Sequence, residues 1–208
     1  IELEIDGGKM VKHILIATKN AGKAREFKKL FSEKGIEVKT LLDMENTPEI
    51  DENGKTFTEN ALIKAQTLTD LYKIPVLADD SGIVVDYLNG EPGIYSARYA
   101  GDHDDEANKK KLLHNLEGVP FKKRTAHFHC SLVITSPVKD PLIAEGNVEG
   151  YIVEEERGKG GFGYDPLFFY PPFDKTFGET TADEKNAVSH RANAIKDLLT
   201  KFDEWWEE

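Results

Sequence analysis

Apolar and polar positions along the 208-residue chain alternate between strand-like runs and helical stripes, a pattern that predicts a mixed α/β fold. Residues 13–18 (HILIAT) form a short apolar run, and within residues 22–35 Ala24, Phe27, Leu30 and Phe31 recur on one helical face. The expectation is a strand, a tight loop and a helix. Residues 36–42 alternate as a second strand, whereas residues 47–55 (TPEIDENGK) are polar and carry the proline and glycine of a loop. A second helix follows, because Thr56 and Glu59 have capping-box spacing and Phe57, Ala61, Ala65, Leu68 and Tyr72 continue the stripe.

Residues 75–78 (PVLA) read as a short buried strand that stops at Asp79, Asp80, Ser81 and Gly82, with extended structure resuming over residues 83–85. Residues 104–117 carry a third helix through Leu112, Leu113 and Leu116, closed by Gly118. The clearest strand is residues 125–135, where Ala126, Phe128, Cys130, Leu132 and Ile134 share a face at period two. Residues 141–146 and 148–153 are its expected partners, as two separate strands. Beyond a glycine-rich stretch at residues 158–163 the chain ends in helix, with Val188, Ile195, Leu198, Leu199 and Phe202 on one side. Thr181 and Glu184 offer a second capping box, and Ser189 is placed to cap a further helix after a break. Helices alternate with strands early and a longer meander occupies the middle, so the sheet is expected to be mixed rather than purely parallel.

Composition narrows the class. A chain of this length buries roughly 70% of the surface its unfolded form exposes, enough for one domain without staples. The formal charge of -11, from 27 basic and 38 acidic residues, disfavours a general nucleic-acid coat. No apolar run approaches the roughly 18 residues of a membrane helix. The single cysteine, Cys130, falls on an apolar strand face as a structural thiol, and the lack of a disulfide or zinc-type pair fits a reducing, cytoplasmic setting. Residues 1–9 are acidic, with neither the basic start nor the apolar core of a secretory signal. Met10 reads as a natural start, which leaves residues 1–9 as a leader or added remnant and residues 10–208 as a single domain.

Four segments carry candidate chemistry. Thr18, Lys19, Asn20, Ala21, Gly22 and Lys23 lie between the first strand and the first helix, where a helix N-terminus offers unpaired N–H groups and the positive end of its dipole to an anion. The spacing is not that of a Walker A loop, since position 17 is Ala and Ala24 follows the lysine. Taken alone, an ordinary turn with solvated lysines is the simpler reading and phosphate binding the functional one. Asp79, Asp80, Ser81 and Gly82 end an apolar strand, where a carboxylate can hold Mg2+ or orient a water; an Asp-rich turn explains them equally well. Glu52, on the preceding polar loop, reaches a metal if that loop folds over the site.

Phe162, Gly163, Tyr164 and Asp165 follow a run of glycines, so that a ring can stack on a base and a carboxylate can accept from ring N–H groups; a hairpin returning its aromatics to the core is the alternative. Lys185, Asn186, Ser189, His190 and Arg191 gather cations near the helix break, although an exposed helix face accounts for them when read alone. Two further features read as structural. His127 and His129 share a polar sheet face with no evident third metal ligand, and Lys109 to Lys111 read as the solvated side of a helix.

Taken together and in this order, the segments resemble the inosine triphosphate pyrophosphatase family, the Ham1-like enzymes of non-standard purine nucleotides. The resemblance runs from Ile14 to about Leu199 and rests on FTENALIKA (57–65), LADDSGIVVDYLNGEPGIYSARYAG (77–101), GFGYDPLFF (161–169) and EKNAVSHRA (184–192). The family commonly has Thr-Gly-Asn or Ser-Gly-Asn where this chain has Thr18, Lys19 and Asn20. The resemblance implies an α/β fold with a long, mixed, twisted sheet flanked by helices, in two lobes with a central cleft, usually as a homodimer. It also implies Mg2+-dependent hydrolysis of ITP, dITP and XTP, between the α and β phosphates, to the monophosphate and pyrophosphate. By this resemblance Thr18 to Lys23 hold the phosphates, Asp80 is the metal ligand or water-activating base, Glu52 is a further metal ligand, and Ser81 lines the same site. Phe162 stacks on the base beside Gly163 and Tyr164, Asp165 reads its protonated edge, and Lys185, His190 and Arg191 contact the 6-oxo group and adjoining polar atoms. The implied ligand is a free nucleotide rather than a nucleic acid or a membrane.

Overall fold

The computed structural model describes residues 12–207 and, before them, the backbone of residues 5, 6, 9 and 10. The leader reading of residues 1–9 therefore lies largely outside the described residues. A two-residue ladder, β1 (Ile5–Asp6) with β2 (Lys9–Met10), precedes β3 (His13–Ile16), and Asn20 then caps α1 (Ala21–Ser32) by accepting a hydrogen bond from the Lys23 N–H. Ala24, Phe27 and Phe31 form the buried stripe of α1. The next strand, β4 (Glu37–Thr40), is shorter than its apolar pattern, because Thr40 and Asp43 form a capping box that turns residues 41–43 into a 3-10 helix. After the polar loop, Thr56 caps α2 (Phe57–Tyr72) through the Glu59 N–H.

The largest departure from the sequence pattern is β5 (Val76–Val85), which runs unbroken through Asp79, Asp80, Ser81 and Gly82. The polar cluster was expected to interrupt the strand and does not. The β3 ladder reaches only Leu77, but β6 (Thr125–Thr135) flanks the strand on its other edge, and extended backbone through the cluster continues the sheet. The strand after it also merges two expected pieces: β7 (Leu142–Ile152) passes straight through Asn147 with alternate residues buried. Gly146 and Gly150 lie on its buried face and mark close approaches, not turns. A Cβ at Gly146 would lie 2.1 Å from the backbone nitrogen of Ala194.

Asp104 caps α3 (Asp105–Asn115), and the chain finishes with β8 (Phe168–Tyr170), β9 (Lys175–Thr176), α4 (Ala182–Val188) and α5 (His190–Glu207). Thr181 and Glu184 form the expected capping box of α4, and Ser189 accepts from the Ala192 N–H at the break before α5. Leu198 and Phe202 are buried on α5 as the stripe predicts, whereas Leu199 is exposed and Ala194 takes the buried position. The seven strands β4-β3-β5-β6-β7-β8-β9 form one mixed sheet: β3 is parallel to β4 and β5, while β7–β8 and β8–β9 are antiparallel.

The chain separates into two compact units. Unit 1 comprises Ile1–Asp80, Leu132–Ile143 and Glu204–Glu208; unit 2 comprises Ser81–Ser131 and Ala144–Asp203. The core of unit 1 packs Ala61, Ala65 and Leu68 of α2 against Leu15 and Val76 of the sheet. That of unit 2 gathers Ile83, Leu112, Phe128, Phe168 and Phe177, with the Phe128 and Phe168 rings 4.6 Å apart. Among the described residues, no helix is long and apolar enough to cross a membrane.

Candidate active site

In unit 1 the parallel ladder of β3 and β5 places the turn after β3 beside the acidic part of β5. Ile16 is in register with Leu77, and the Ala17 N–H donates to the Leu77 carbonyl at 2.8 Å. Beyond that pair, Thr18 accepts the Asn20 N–H and Asn20 accepts the Lys23 N–H, which winds residues 18–23 onto the start of α1. Lys19 stays exposed, while the Lys23 ammonium crosses to the Asp79 carboxylate at 2.6 Å. Asp79 is buried on this strand, and Asp80, one residue on, points to the opposite face.

The surroundings of Asp80 come from α2 and the loop before it. Lys64 donates to the Asp79 carbonyl at 3.0 Å and pairs with Glu52 at 2.8 Å, so the loop does bring Glu52 to this cluster. Asn60, buried on the same helix face four residues earlier, accepts the Gly54 N–H and hydrogen-bonds Asp80. Burial, opposed by Lys64 and reinforced by the charges of Glu52 and Asp79, pushes the Asp80 carboxyl up to about 6. Burial works against charge on Lys64 as well, but Asp79 and Glu52 outweigh it and its ammonium is held above the usual lysine range.

Lys23 pairs with Asp79 and Lys64 with Glu52, and Asp80 adds a third carboxylate to the cluster, negative charge that a divalent cation would relieve. Hard carboxylate oxygens suit Mg2+, which is commonly held by one or two carboxylates plus phosphate oxygens and water. Among the described residues no three His, Cys, Asp or Glu side chains converge as a ready-made cage. A site completed by substrate phosphates needs no such cage, and the residues present fit the ion.

Unit 2 holds the other predicted side chains. Asp165, 2% exposed, accepts the Phe162 N–H at 3.0 Å and the Lys185 ammonium at 2.5 Å. Burial pushes its carboxyl up, with Lys185, the Phe162 N–H and the Arg191 charge acting in the other direction. Lys185 is itself buried, which corrects the reading of its segment as an exposed helix face: an ammonium facing a buried carboxylate is drawn in by that charge. It also lies 4.3 Å from the centroid of Phe162, whose ring is 63% exposed. Gly161 permits this arrangement, since a Cβ there would strike the Asp165 carboxylate. Tyr164 turns inward and donates to the Ser96 carbonyl at 2.6 Å, and Ser96 in turn accepts the Ile83 N–H of β5. His190 stacks on Phe128 at 4.9 Å, and Ser81 opens the part of β5 that belongs to unit 2.

Sequence reasoning had no role for Lys64 or Asn60, although both sit in the FTENALIKA segment at the i, i+4 spacing that puts them on one helix face. It also placed Lys109 on a solvated face. Lys109 is buried, and its ammonium pairs with Glu106 and Glu156, the latter 47 residues along the chain.

The family profile described as the Ham1 family matches residues 14–201. A protein of Geobacillus kaustophilus named dITP/XTP pyrophosphatase is 53% identical over 199 residues, covering 95% of this chain and 96% of that protein. One of the same name from Listeria innocua is 56% identical over 186 residues, covering 89% and 92%. The structure of the Staphylococcus aureus Ham1 protein superposes with a TM-score of 0.87 at 41% identity, covering 95% of this chain and all of that one. A Mycobacterium abscessus structure described as a nucleoside-triphosphatase and dITP/XTP pyrophosphatase gives 0.79 at 37% identity, covering 89% and 97%.

Proposed function

The chain belongs to the Ham1 family, and from that premise we propose that it hydrolyses the non-standard purine nucleoside triphosphates ITP, dITP and XTP to the monophosphate and pyrophosphate. The observation that carries this reading is the Asp80 cluster: a half-buried carboxyl raised to about 6, beside Glu52, Lys64 and Asn60. A carboxylate of that basicity is ionised at neutral pH and still accepts a proton from water better than an ordinary aspartate does.

In this proposal the residues of unit 1 handle the phosphates. Thr18 to Lys23 present backbone N–H groups and two ammonium groups to the anion, and Glu52 and Asp80 are the carboxylates that hold Mg2+. When bound, the ion neutralises phosphate charge. Asp80 takes the proton of the attacking water as its oxygen bonds to phosphorus and the α–β anhydride bond breaks. Lys64 and Asn60 hold Asp80 in place, and Lys64 keeps its charge because the carboxylates around it favour the ammonium.

The residues of unit 2 handle the base. Phe162 offers an exposed face for stacking, and Asp165, Lys185, His190 and Arg191 supply the polar groups that read a 6-oxo purine, with Gly163, Tyr164 and Ser81 shaping their surroundings. Adenine places an amino group where these donors need an acceptor, and a buried donor left unpaired costs about 1–3 kcal/mol. A homodimer and a cytoplasmic setting belong to the same proposal, carried by the family resemblance.

The test is a panel of triphosphates at equal concentration with Mg2+, with the phosphate product identified. ITP, dITP and XTP are expected to be converted ahead of ATP and the pyrimidine nucleotides, each releasing pyrophosphate. Release of orthophosphate alone would sink the α–β cleavage, and equal use of ATP would sink the base selectivity.

A further inference from the structure

Phe162 is carried by a glycine-rich segment of unit 2. Residues 158–163 contain four glycines, three of them at positive φ (Gly158 at 83°, Gly161 at 70°, Gly163 at 57°), so the segment has few side chains of its own to hold it and relies on bonds to its neighbours. Gly158 and Gly160 lie close against the Gly178 backbone, and the other side of the segment is open. A cavity of about 310 Å³ separates it from the start of α3, lined by Phe162, Gly163 and Pro166 on one side and Asp105, Glu106 and Lys109 on the other.

Two polar ties cross that space. The Asp105 carboxylate accepts the Gly163 N–H at 3.1 Å, next to the aromatic residue. Farther in, the Lys109 ammonium, on a residue 7% exposed, bridges Glu106 of its own helix at 2.7 Å and Glu156 at the start of the glycine-rich segment. Burial alone would lower the basicity of Lys109, yet the two carboxylates reverse that and hold it charged. A cation drawn out of water in this way is held in place by its two partners, and loss of the lysine leaves both carboxylates without it. The opposite rim of the segment is fixed by the Arg157 N–H to the Pro166 carbonyl, the Thr176 hydroxyl to the Arg157 carbonyl and the Gly160 N–H to the Gly178 carbonyl.

We propose that Asp105 and Lys109 are positioning residues, which hold the glycine-rich segment off the cavity beneath it so that Phe162 faces the base. Without the two ties the segment can sink into the void, and the ring then leaves its place over the Lys185 ammonium. The base is bound by this segment while the bond is broken elsewhere, so the ties govern substrate capture and selectivity more than the chemical step. This inference rests on the proposed nucleotide substrate for its kinetic part, but the conformational part does not depend on it.

The experiment compares Asp105→Ala, Lys109→Met and Lys109→Arg with the parent protein. Asp105 is exposed, so its variant leaves the core untouched, and melting temperature reports whether Lys109→Met remains folded. Amide hydrogen exchange across residues 157–163, with no ligand present, is expected to speed up in Asp105→Ala and Lys109→Met and to return towards the parent rate in Lys109→Arg. For the triphosphate that the parent uses best, KM is expected to rise about tenfold with kcat within about twofold, while hydrolysis of inorganic tripolyphosphate, which has no base, is unchanged. Unchanged exchange in folded variants overturns the inference whatever the substrate is. Faster exchange with an unchanged KM overturns the positioning role, and a fall in kcat shared by tripolyphosphate assigns these residues to general stability instead. A parent protein that hydrolyses no triphosphate overturns the proposed function and leaves the exchange result to judge the ties.

Discussion

At the scale of single residues the site is governed by carboxylates that burial and like-charged neighbours make basic. The folded Asp80 carboxyl titrates near 6 against 3.8 when unperturbed, so between those values the folded protein binds more protons than the unfolded chain and stability falls as pH rises. Above about pH 6 the ionised carboxylate is a full penalty, of order 1–3 kcal/mol for a shift of this size. Asp80→Asn removes that charge at nearly constant shape. In the presence of chelator the variant is therefore expected to melt a few degrees above the parent at pH 7.5 and level with it near pH 3.5, while losing turnover. Scanning calorimetry at the two pH values measures the difference, and a variant no more stable than the parent at pH 7.5 would falsify the account of why Asp80 is basic. The acidic pair itself was legible in the sequence. Lys64 and Asn60 were not, because what gives them a role is the approach of α2 to β5, and no spacing in the sequence encodes which helix face meets which strand.

At the scale of elements, helices were read more accurately than strands, and the reason is local. Thr56, Asp104 and Thr181 satisfy orphan N–H groups within three residues of themselves, so the sequence around each carries the full signal. A glycine in a strand has no such local meaning. Gly146 read as the end of a strand, but it lies on the buried face of β7 because α5 runs directly over it, with the Ala194 nitrogen and the His190 carbonyl 2.1 and 2.3 Å from where a Cβ would sit. Those atoms are helix backbone and cannot swing aside. Gly146→Ala is expected to push α5 outward and cost about 1–3 kcal/mol, seen as a lower urea midpoint with an unchanged slope. Because His190 and Arg191 begin that helix, the same variant is expected to raise KM for a purine triphosphate. A midpoint equal to the parent's would mean that α5 rides more loosely on β7 than these distances require. Lys109 and Lys185 failed as sequence readings for a related reason: a lysine's burial depends on a distant carboxylate, Glu156 in one case and Asp165 in the other.

At the scale of the whole molecule, the two lobes were expected from the family resemblance and not from linkers, and the boundaries of the two compact units fall inside elements. The backbone passes between units at residues 80/81, 131/132, 143/144 and 203/204, within β5, β6, β7 and α5. Continuous strands carry no composition shift, so the division was invisible to a search for linkers. The charge of -11 was legible from the start, and it bears on how a polyanion reaches Lys23. At low ionic strength the acidic excess repels a nucleotide over tens of ångströms, whereas Lys23 acts at contact distance and is partly shielded from salt by burial. Raising salt therefore weakens the long-range repulsion before it weakens the short-range attraction. With free Mg2+ held constant, kcat/KM for ITP is expected to hold or rise between about 10 and 100 mM KCl and to fall only beyond that range, opposite to the steady log-log decline of a basic phosphate-binding surface. Initial rates across a salt series measure it. A monotonic fall from the lowest salt would mean that capture is steered by a cationic surface, and the phosphate-binding role would then extend well beyond the turn at residues 18–23.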